Sequence, residues 1–472
     1  MNKESKNKYL LKNTIILSIG NFGSKLITFF LVPLYTNIFT TKEYGIIDLI
    51  TIISVVIVPL ITLNIQEAVM RYSMDKDAKK EKIFSVGILI MIFMTILGII
   101  SLPILHRTSI TSEYDALLVM YTLTFGFSQM LLCFIRGQEK LRLYSIINII
   151  QTFIIAILNI LFLKCFKFGI EEYILSYIIS YCITIILCFI KGDLIHLLHE
   201  FSIDKKLAKE MIKYSIILIP NSLMWWIMNS IDRILVTVII NLEANGIYAV
   251  SYKIPSIVIT LTTIFNQAWM FSAVKEKDSI DKNQYTNSIY IALFNCIVTL
   301  SIFLLLILKP LMKIYVGQDF YNAWMYTPPL IIGTIFLTLG TFLSNEYIAY
   351  KDSLGFLKSS SIGAIINIVL SSILIPTIGV MGAAIATCVS YIGIFIFRVF
   401  DTRNYLKIKV FDNNKIIQII LVFSAAIIVY INSVIIYPIL LLIFILELWL
   451  TRELWIKIIT NINLKIRKRS FL

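Results

Sequence analysis

Three cations lie inside long apolar stretches of this chain: Lys25, Arg233 and Lys253. A cation at the centre of a bilayer costs on the order of 2.5–3.5 kcal/mol on the insertion scale, so such residues normally face a protein interior or a water-filled cavity. Each sits on a polar stripe. Thr14, Ser18, Asn21, Lys25 and Thr28 follow steps of 4, 3, 4 and 3 residues, and Lys253, Ser256, Thr260, Thr263 and Gln267 follow steps of 3, 4, 3 and 4. Both spacings put five polar side chains on one helix face. Ser222, Asn229, Arg233 and Thr237 share a third face, with Trp225 and Trp226 beside it. Such stripes build a hydrated, electropositive cleft whose natural ligand is an anion. A phosphate about 4 Å from Lys25 gains roughly 4 kcal/mol at an effective dielectric of 20, enough to offset the burial of the lysine.

Other readings of the same residues remain open. Asp232 adjoins Arg233 and could pair instead with Lys253 as a structural bridge between helices. Lys25 has no acidic partner on its own helix, but a distant acid such as Asp48 could meet it. Trp225 and Trp226 suit stacking on sugar faces and equally suit filling a helix interface. Pro33, Pro59, Pro220 and Pro255 interrupt helices, and bends at Pro33 and Pro220 fit a moving gate.

The familiar signs of catalysis are missing. Gly20-Asn21-Phe22-Gly23-Ser24-Lys25 has a faint look of a phosphate loop, but the order is Gly-Ser-Lys and no strand precedes it. His196, His199 and Glu200 match no zinc hydrolase order. The six cysteines form no C-x-x-C pair and read as small hydrophobes. No nucleophile arrangement, metal, cofactor or nucleotide site is expected, and the chain is not read as an enzyme.

The elements that must hold the stripes are membrane helices. Of 472 residues, 58% are hydrophobic and only 15% charged, against about 25% charged in a soluble domain. The mean hydropathy is +0.86. This excludes a cytosolic enzyme, a disordered chain and a disulfide scaffold. The net charge of +14 could suggest nucleic acid, but a cytoplasmic loop bias gives the same excess. The Lys-rich start runs into a long apolar stretch with no small-residue cleavage site, and reads as a retained first helix.

A span needs about 20 apolar residues. The pattern predicts fourteen helices, near 13–39, 45–69, 83–105, 116–135, 143–163, 173–190, 214–240, 247–273, 286–308, 326–350, 359–376, 380–397, 416–434 and 437–456. With the N-terminus cytoplasmic, 33 of the 42 Lys and Arg residues fall in inside segments, 6 outside and 3 within spans. That asymmetry is a strong positive-inside signal and puts both termini in the cytoplasm.

The expected architecture is all-α. Residues 1–190 form an N-terminal six-helix bundle, 191–213 a cytoplasmic amphipathic linker, and 214–400 a C-terminal six-helix bundle. Residues 401–472 add two transmembrane helices and a basic cytoplasmic tail. The bundles would enclose a central cleft. A weak internal similarity supports a parallel repeat: Glu43-Tyr44-Gly45-Ile46 against Ala244-Asn245-Gly246-Ile247.

Several stretches resemble Wzx-type polysaccharide repeat-unit flippases. They are Gly23-Ser24-Lys25 with Val32-Pro33-Leu34-Tyr35-Thr36 and Glu43-Tyr44-Gly45; Ile219-Pro220-Asn221-Ser222-Leu223-Met224-Trp225-Trp226 with Asp232-Arg233; Asn245-Gly246-Ile247-Tyr248 with Tyr252-Lys253-Ile254-Pro255; and Phe265-Asn266-Gln267-Ala268-Trp269 with Gly382-Ala383-Ala384-Ile385-Ala386-Thr387. The resemblance spans nearly the whole chain. It implies the polysaccharide-transporter branch of the multidrug, oligosaccharidyl-lipid and polysaccharide exporter superfamily. It also implies transfer of an undecaprenyl-pyrophosphate-linked oligosaccharide across the bacterial cytoplasmic membrane, for capsule, O-antigen or exopolysaccharide synthesis.

In that picture Lys25, Arg233 and Lys253 attract the head group. Asn21, Asn229 and Gln267 contact polar groups, and Trp225 and Trp226 belong to the sugar wall. Ligand neutralisation then biases rocking between inward-open and outward-open states. Expected partners are the lipid-linked oligosaccharide, membrane lipids and polysaccharide polymerase machinery, with no nucleic acid and no nucleotide. Two rivals share the superfamily. A lipid-linked peptidoglycan precursor flippase needs the same cationic cleft, whereas a multidrug exporter of organic cations needs an acidic one.

Overall fold

The computed structural model describes residues 3–75, 79–108, 114–167, 169–276, 279–350 and 352–456. Each of the fourteen expected segments contains helix, and no strand occurs among the described residues. The helices are α1 (Lys3–Ile38), α2 (Thr41–Ile61), α3 (Ile65–Ser73), α4 (Lys80–Thr108), α5 (Asp115–Gly137), α6 (Leu141–Asn159), α7 (Ile170–Gly192), α8 (Ile195–His199) and α9 (Lys205–Ile239). They continue as α10 (Leu242–Ser251), α11 (Pro255–Glu276), α12 (Lys282–Tyr315), α13 (Thr327–Tyr350), α14 (Ser353–Ile378), α15 (Val380–Asp401), α16 (Asn413–Ile428) and α17 (Ile436–Leu450). Among the described residues ten helices are long and apolar enough to cross a membrane, or eleven if the bent pair α10–α11 counts as one span. α16 and α17 are shorter, with 16 and 15 residues. Many large aliphatic side chains, such as Ile217, Ile427 and Ile100, stay exposed, as a lipid-facing surface requires.

Two expected spans are broken. The segment 45–69 divides into α2 and α3 because Leu63 and Asn64 take left-handed backbone, with φ of 50° and 54°. Asparagine tolerates that region through its short polar side chain. Here the break is also tied by side chains: Thr62 Oγ1 donates to Val58 O at 2.7 Å and to Gln66 Oε1 at 3.0 Å, and Gln66 Nε2 to Asn64 Oδ1 at 2.8 Å. The segment 247–273 divides into α10 and α11, bent by 50°. Pro255 opens α11, where its missing N–H leaves no helical bond unmade.

The chain forms two compact units, residues 1–246 and 247–472. In unit 1 the core gathers Ile65 and Val69 of α3, Phe84 and Met91 of α4, Met130 and Phe134 of α5, Cys188 of α7 and Met211 of α9. A ladder of tyrosines extends it. Tyr35 meets Tyr173 edge to face at 5.1 Å, Tyr173 meets Tyr177, and Tyr177 meets Tyr121 and Tyr181. Such ring pairs contribute about 0.5–1.5 kcal/mol each beyond the area they bury.

The expected linker 191–213 is a folded part of unit 1. It contains α8 and the first turns of α9, and it is pinned to α4. Lys82 Nζ meets Asp204 Oδ2 at 2.9 Å, and Ser202 N donates to Ser85 Oγ at 3.1 Å. Asp204 also caps α9, accepting from the N–H groups of Lys206 and Leu207. The lysine, then the cap, hold the Asp204 carboxyl below the usual carboxylate range.

In unit 2, α13 lies at the centre and its side chains are almost all buried. Phe342 stacks on Trp269 of α11 at 4.8 Å and touches Tyr290 of α12. Polar ties join the helices at depth. Glu447 of α17 is fully buried, and its Oε1 accepts from Gln418 Nε2 of α16 at 2.8 Å and from Thr299 Oγ1 of α12 at 3.2 Å. The basic tail expected beyond 456 lies outside the described residues.

Candidate functional site

The polar constellation of unit 1 starts from a cap. Thr40 and Glu43 form a capping box at the start of α2, with Glu43 N donating to Thr40 Oγ1 at 3.3 Å and Thr40 N to Glu43 Oε2 at 2.8 Å. This fixes the first turn, in which Gly45 lies against the backbone of α10. A Cβ on Gly45 would overlap the carbonyl oxygen of Leu242, and one on Gly246 would overlap that of Thr41. The two glycines of the internal similarity are thus a reciprocal contact, and only glycine allows so close a backbone approach.

One turn further on, Asp48 faces Arg233 of α9. Arg233 Nη1 donates to Asp48 Oδ1 at 2.8 Å, and the side chains are only 17% and 9% exposed. Asn245, fully buried, donates to Gly45 O at 3.2 Å and to Asp48 Oδ2 at 3.4 Å. Asp232 is buried next to Arg233 and accepts that residue's own N–H at 3.0 Å. A carboxylate that engages Arg233 thus comes from another helix, 185 positions away in sequence. Asp48, considered above as a partner for Lys25, pairs with Arg233. Sequence reasoning did not place Asp48 and Asn245 in the site. The signal that could have found them is their position beside the two paired glycines.

Lys25 lies on the exposed side of α1 together with Thr28, while Ser24 turns toward α6 and donates to Asn148 O at 3.4 Å. From Lys25 to the end of α1 at Ile38 is 13 residues, roughly 20 Å of helix. Lys253 is half-buried and sits in the break between α10 and α11 rather than within a continuous helix. Gln267 is half-buried on α11. Trp226 is half-buried, and its indole N–H is buried with no acceptor among the described residues. The side chains of Asn21, Trp225 and Asn229 lie outside the described set. Pro33 and Pro220 stand inside α1 and α9, both of which run on as single helices.

The stripes differ chemically from their appearance in sequence. Thr28 donates to Ser24 O, Ser256 to Lys253 O, Thr260 to Ser256 O, Thr263 to Ile259 O and Thr237 to Arg233 O. Each hydroxyl proton is spent on its own helix. The stripes then present oxygen lone pairs, and donors for an anion must come from the cations, amides and the indole. No group of three metal-ligating side chains occurs among the described residues.

Long apolar helices with buried polar ties and exposed aliphatic surfaces make this a polytopic all-α membrane fold. That fold is shared with a lipid II flippase MurJ in an inward closed conformation, at 16% identity and a TM-score of 0.68, covering 94% of this chain and 100% of that one. It is shared too with a MATE protein in complex with MaL6, at 13% identity and a TM-score of 0.61, covering 88% and 97%. A third relative is a MOP superfamily transporter from Pyrococcus furiosus, described by the reverse polarity of its binding pocket. It shares 13% identity and a TM-score of 0.60, covering 83% and 95%. No curated protein matches the sequence. The chain belongs to the polysaccharide biosynthesis protein family, whose model matches residues 10–271, more than half its length.

Proposed function

We propose that this chain is a flippase that carries undecaprenyl-pyrophosphate-linked oligosaccharide repeat units across the bacterial cytoplasmic membrane, serving capsule, O-antigen or exopolysaccharide synthesis. The observation that carries the reading is the conjunction of polysaccharide-family membership with the fold of a lipid flippase. Both termini are cytoplasmic in this proposal, following the Lys and Arg asymmetry. Two bundles, 1–190 and 214–400, would rock about a cationic cleft, with 401–472 as an added helix pair.

Lys25, Arg233 and Lys253 attract the diphosphate. Asn21, Asn229 and Gln267 contact polar groups, and Trp225 and Trp226 line the sugar wall. The unsatisfied indole N–H of Trp226 supports this, because a ligand oxygen would complete it. The Asp48 carboxylate supplies the other half of the cycle. It pairs with Arg233, and a diphosphate carrying more charge would compete for the same guanidinium. Substrate entry would then loosen α2 from α9, which is how binding energy biases one state over the other. Pro33 and Pro220 give α1 and α9 points at which to bend.

The similarity to a lipid II flippase favours a second reading, transport of a lipid-linked peptidoglycan precursor. A deletion strain separates the two. Lipid-linked repeat units accumulating with loss of surface polymer support the first, and arrested wall synthesis with normal polymer supports the second. Unchanged levels of both refute a flippase for either lipid.

A further inference from the structure

A second candidate site lies at the end of unit 2 that the charge bias assigns to the cytoplasm. After α15 the chain makes a short turn at Thr402–Asn404 and then runs without regular structure from 406 to 411. A free segment would leave its backbone N–H groups to water. Here two are captured: Lys407 N donates to Asn283 Oδ1 at 3.0 Å, and Lys409 N to Asn287 Oδ1 at 3.2 Å. The two asparagines are one turn apart on α12, a rise of about 6 Å, which matches roughly 6.6 Å for two residues of near-extended chain. Lys415 Nζ closes the far end by donating to Lys409 O at 2.8 Å. The segment is therefore tied to α12 and Lys415 by its own backbone groups.

Its side chains alternate. Leu406, Ile408 and Val410 turn inward, while Lys407 and Lys409 stay exposed. Between the segment and the ends of α13 and α15 is a cavity of about 310 Å³. Leu343, Val399, Leu406 and Ile408 form its apolar wall, and Arg403 and Lys409 bring two positive charges to it. Three buried cations at this end are engaged by the chain itself. Lys282 pairs with Glu346 at 2.7 Å, Lys415 with Asp412 at 2.8 Å, and Arg398 donates to Ser359 Oγ and Gly340 O. Arg403 rests over the Phe400 ring at 4.5 Å, and neither it nor Lys409 meets a carboxylate among the described residues.

The geometry points to a seat for the phosphate head group of an anionic phospholipid from the inner leaflet. Arg403 and Lys409 hold the phosphate, and the apolar wall receives the start of the acyl chains. A soluble anion has no use for that wall, and a neutral lipid has no use for the two cations. Basic pockets beside membrane helices on the cytoplasmic side bind lipid head groups by this combination. The site is separate from the residues proposed for transport.

The test uses the full chain, purified in detergent with defined added lipid and read by native mass spectrometry. Wild type should retain phosphatidylglycerol over phosphatidylcholine. Arg403→Gln and Lys409→Gln should each lower that preference roughly 5-fold and together roughly 30-fold, from about 1 kcal/mol per cation. Lys205→Gln with Lys206→Gln, exposed cations on α9, should leave it unchanged. Ile408→Trp fills the cavity with both cations kept and should also abolish the preference. Equal retention of the two lipids by wild type, or an unchanged preference in the Arg403/Lys409 double variant, overturns the proposal. So does displacement of the lipid by glycerol phosphate, which would mark a site for free phosphate.

Discussion

Removing both members of the Asp48–Arg233 pair should destabilise unit 1 far less than the sum of the two single removals. Nη1 and Oδ1 are 2.8 Å apart between groups that are at least four-fifths buried, and the attraction is roughly 4 kcal/mol for charge centres about 4 Å apart at an effective dielectric of 20. Deleting one partner leaves the other as a buried, uncompensated ion, a loss of about 3–5 kcal/mol in comparable pairs. Asp48→Ala and Arg233→Met should each fall in that range. The double variant Asp48→Ala/Arg233→Met should recover roughly half of the summed loss, because no ion remains to be desolvated. Thermal and denaturant unfolding of the purified chain, followed by near-ultraviolet circular dichroism, gives the four corners of the cycle. Additivity within about 0.5 kcal/mol would refute the reasoning, since contacting charges cannot be additive.

Gly45→Ala and Gly246→Ala should each cost about 1–3 kcal/mol through overpacking, because the new methyl meets a backbone carbonyl rather than a movable side chain; melting of each variant checks this. Glu447→Ala should cost about 1–3 kcal/mol by stranding the Gln418 and Thr299 donors, whereas Glu447→Gln keeps an acceptor and should cost under about 1 kcal/mol. The Lys82–Asp204 tie should fail only in acid. The folded Asp204 carboxyl titrates below its unfolded value of about 3.9, so its contribution is complete above that pH and is lost as pH falls through the folded value. Protease nicking near residue 200 should therefore distinguish Asp204→Asn from wild type at neutral pH, and the difference should shrink once the pH falls below the unfolded value of about 3.9. For the transport reading, Lys25→Ala should abolish polymer export at equal membrane abundance while Lys25→Arg retains it; normal export by both would remove Lys25 from the head-group site.

Much of the fold is legible in sequence because hydropathy and Lys/Arg placement respond to the same solvent that selects helices. The apolar segments fall on helices, and even the weakly apolar 359–376 lies inside α14, although only ten or eleven helices among the described residues are long and apolar enough to cross a membrane. Breaks inside spans are less legible. Pro255 signals one openly, but the break at Leu63–Asn64 depends on backbone angles that a run of apolar residues conceals. The pairing of charges is least legible. Arg233 and Asp48 stand 185 positions apart, and no local spacing joins them. The similarity between Glu43-Tyr44-Gly45 and Ala244-Asn245-Gly246 was visible, but its meaning as a mutual backbone contact needed coordinates. Spacing likewise showed that the hydroxyls share helix faces and could not show that their protons bond the preceding turn.

The most direct test is translocation by the purified chain in proteoliposomes. Undecaprenyl-pyrophosphate-linked oligosaccharide is incorporated in both leaflets, and membrane-impermeant periodate reports the sugar exposed outside. The account predicts that nearly all of the lipid becomes oxidisable on a timescale set by the protein, and that Lys25→Ala returns the reaction to the outer-leaflet half. Oxidation that stops at that half with active wild-type protein, as in protein-free vesicles, would contradict it.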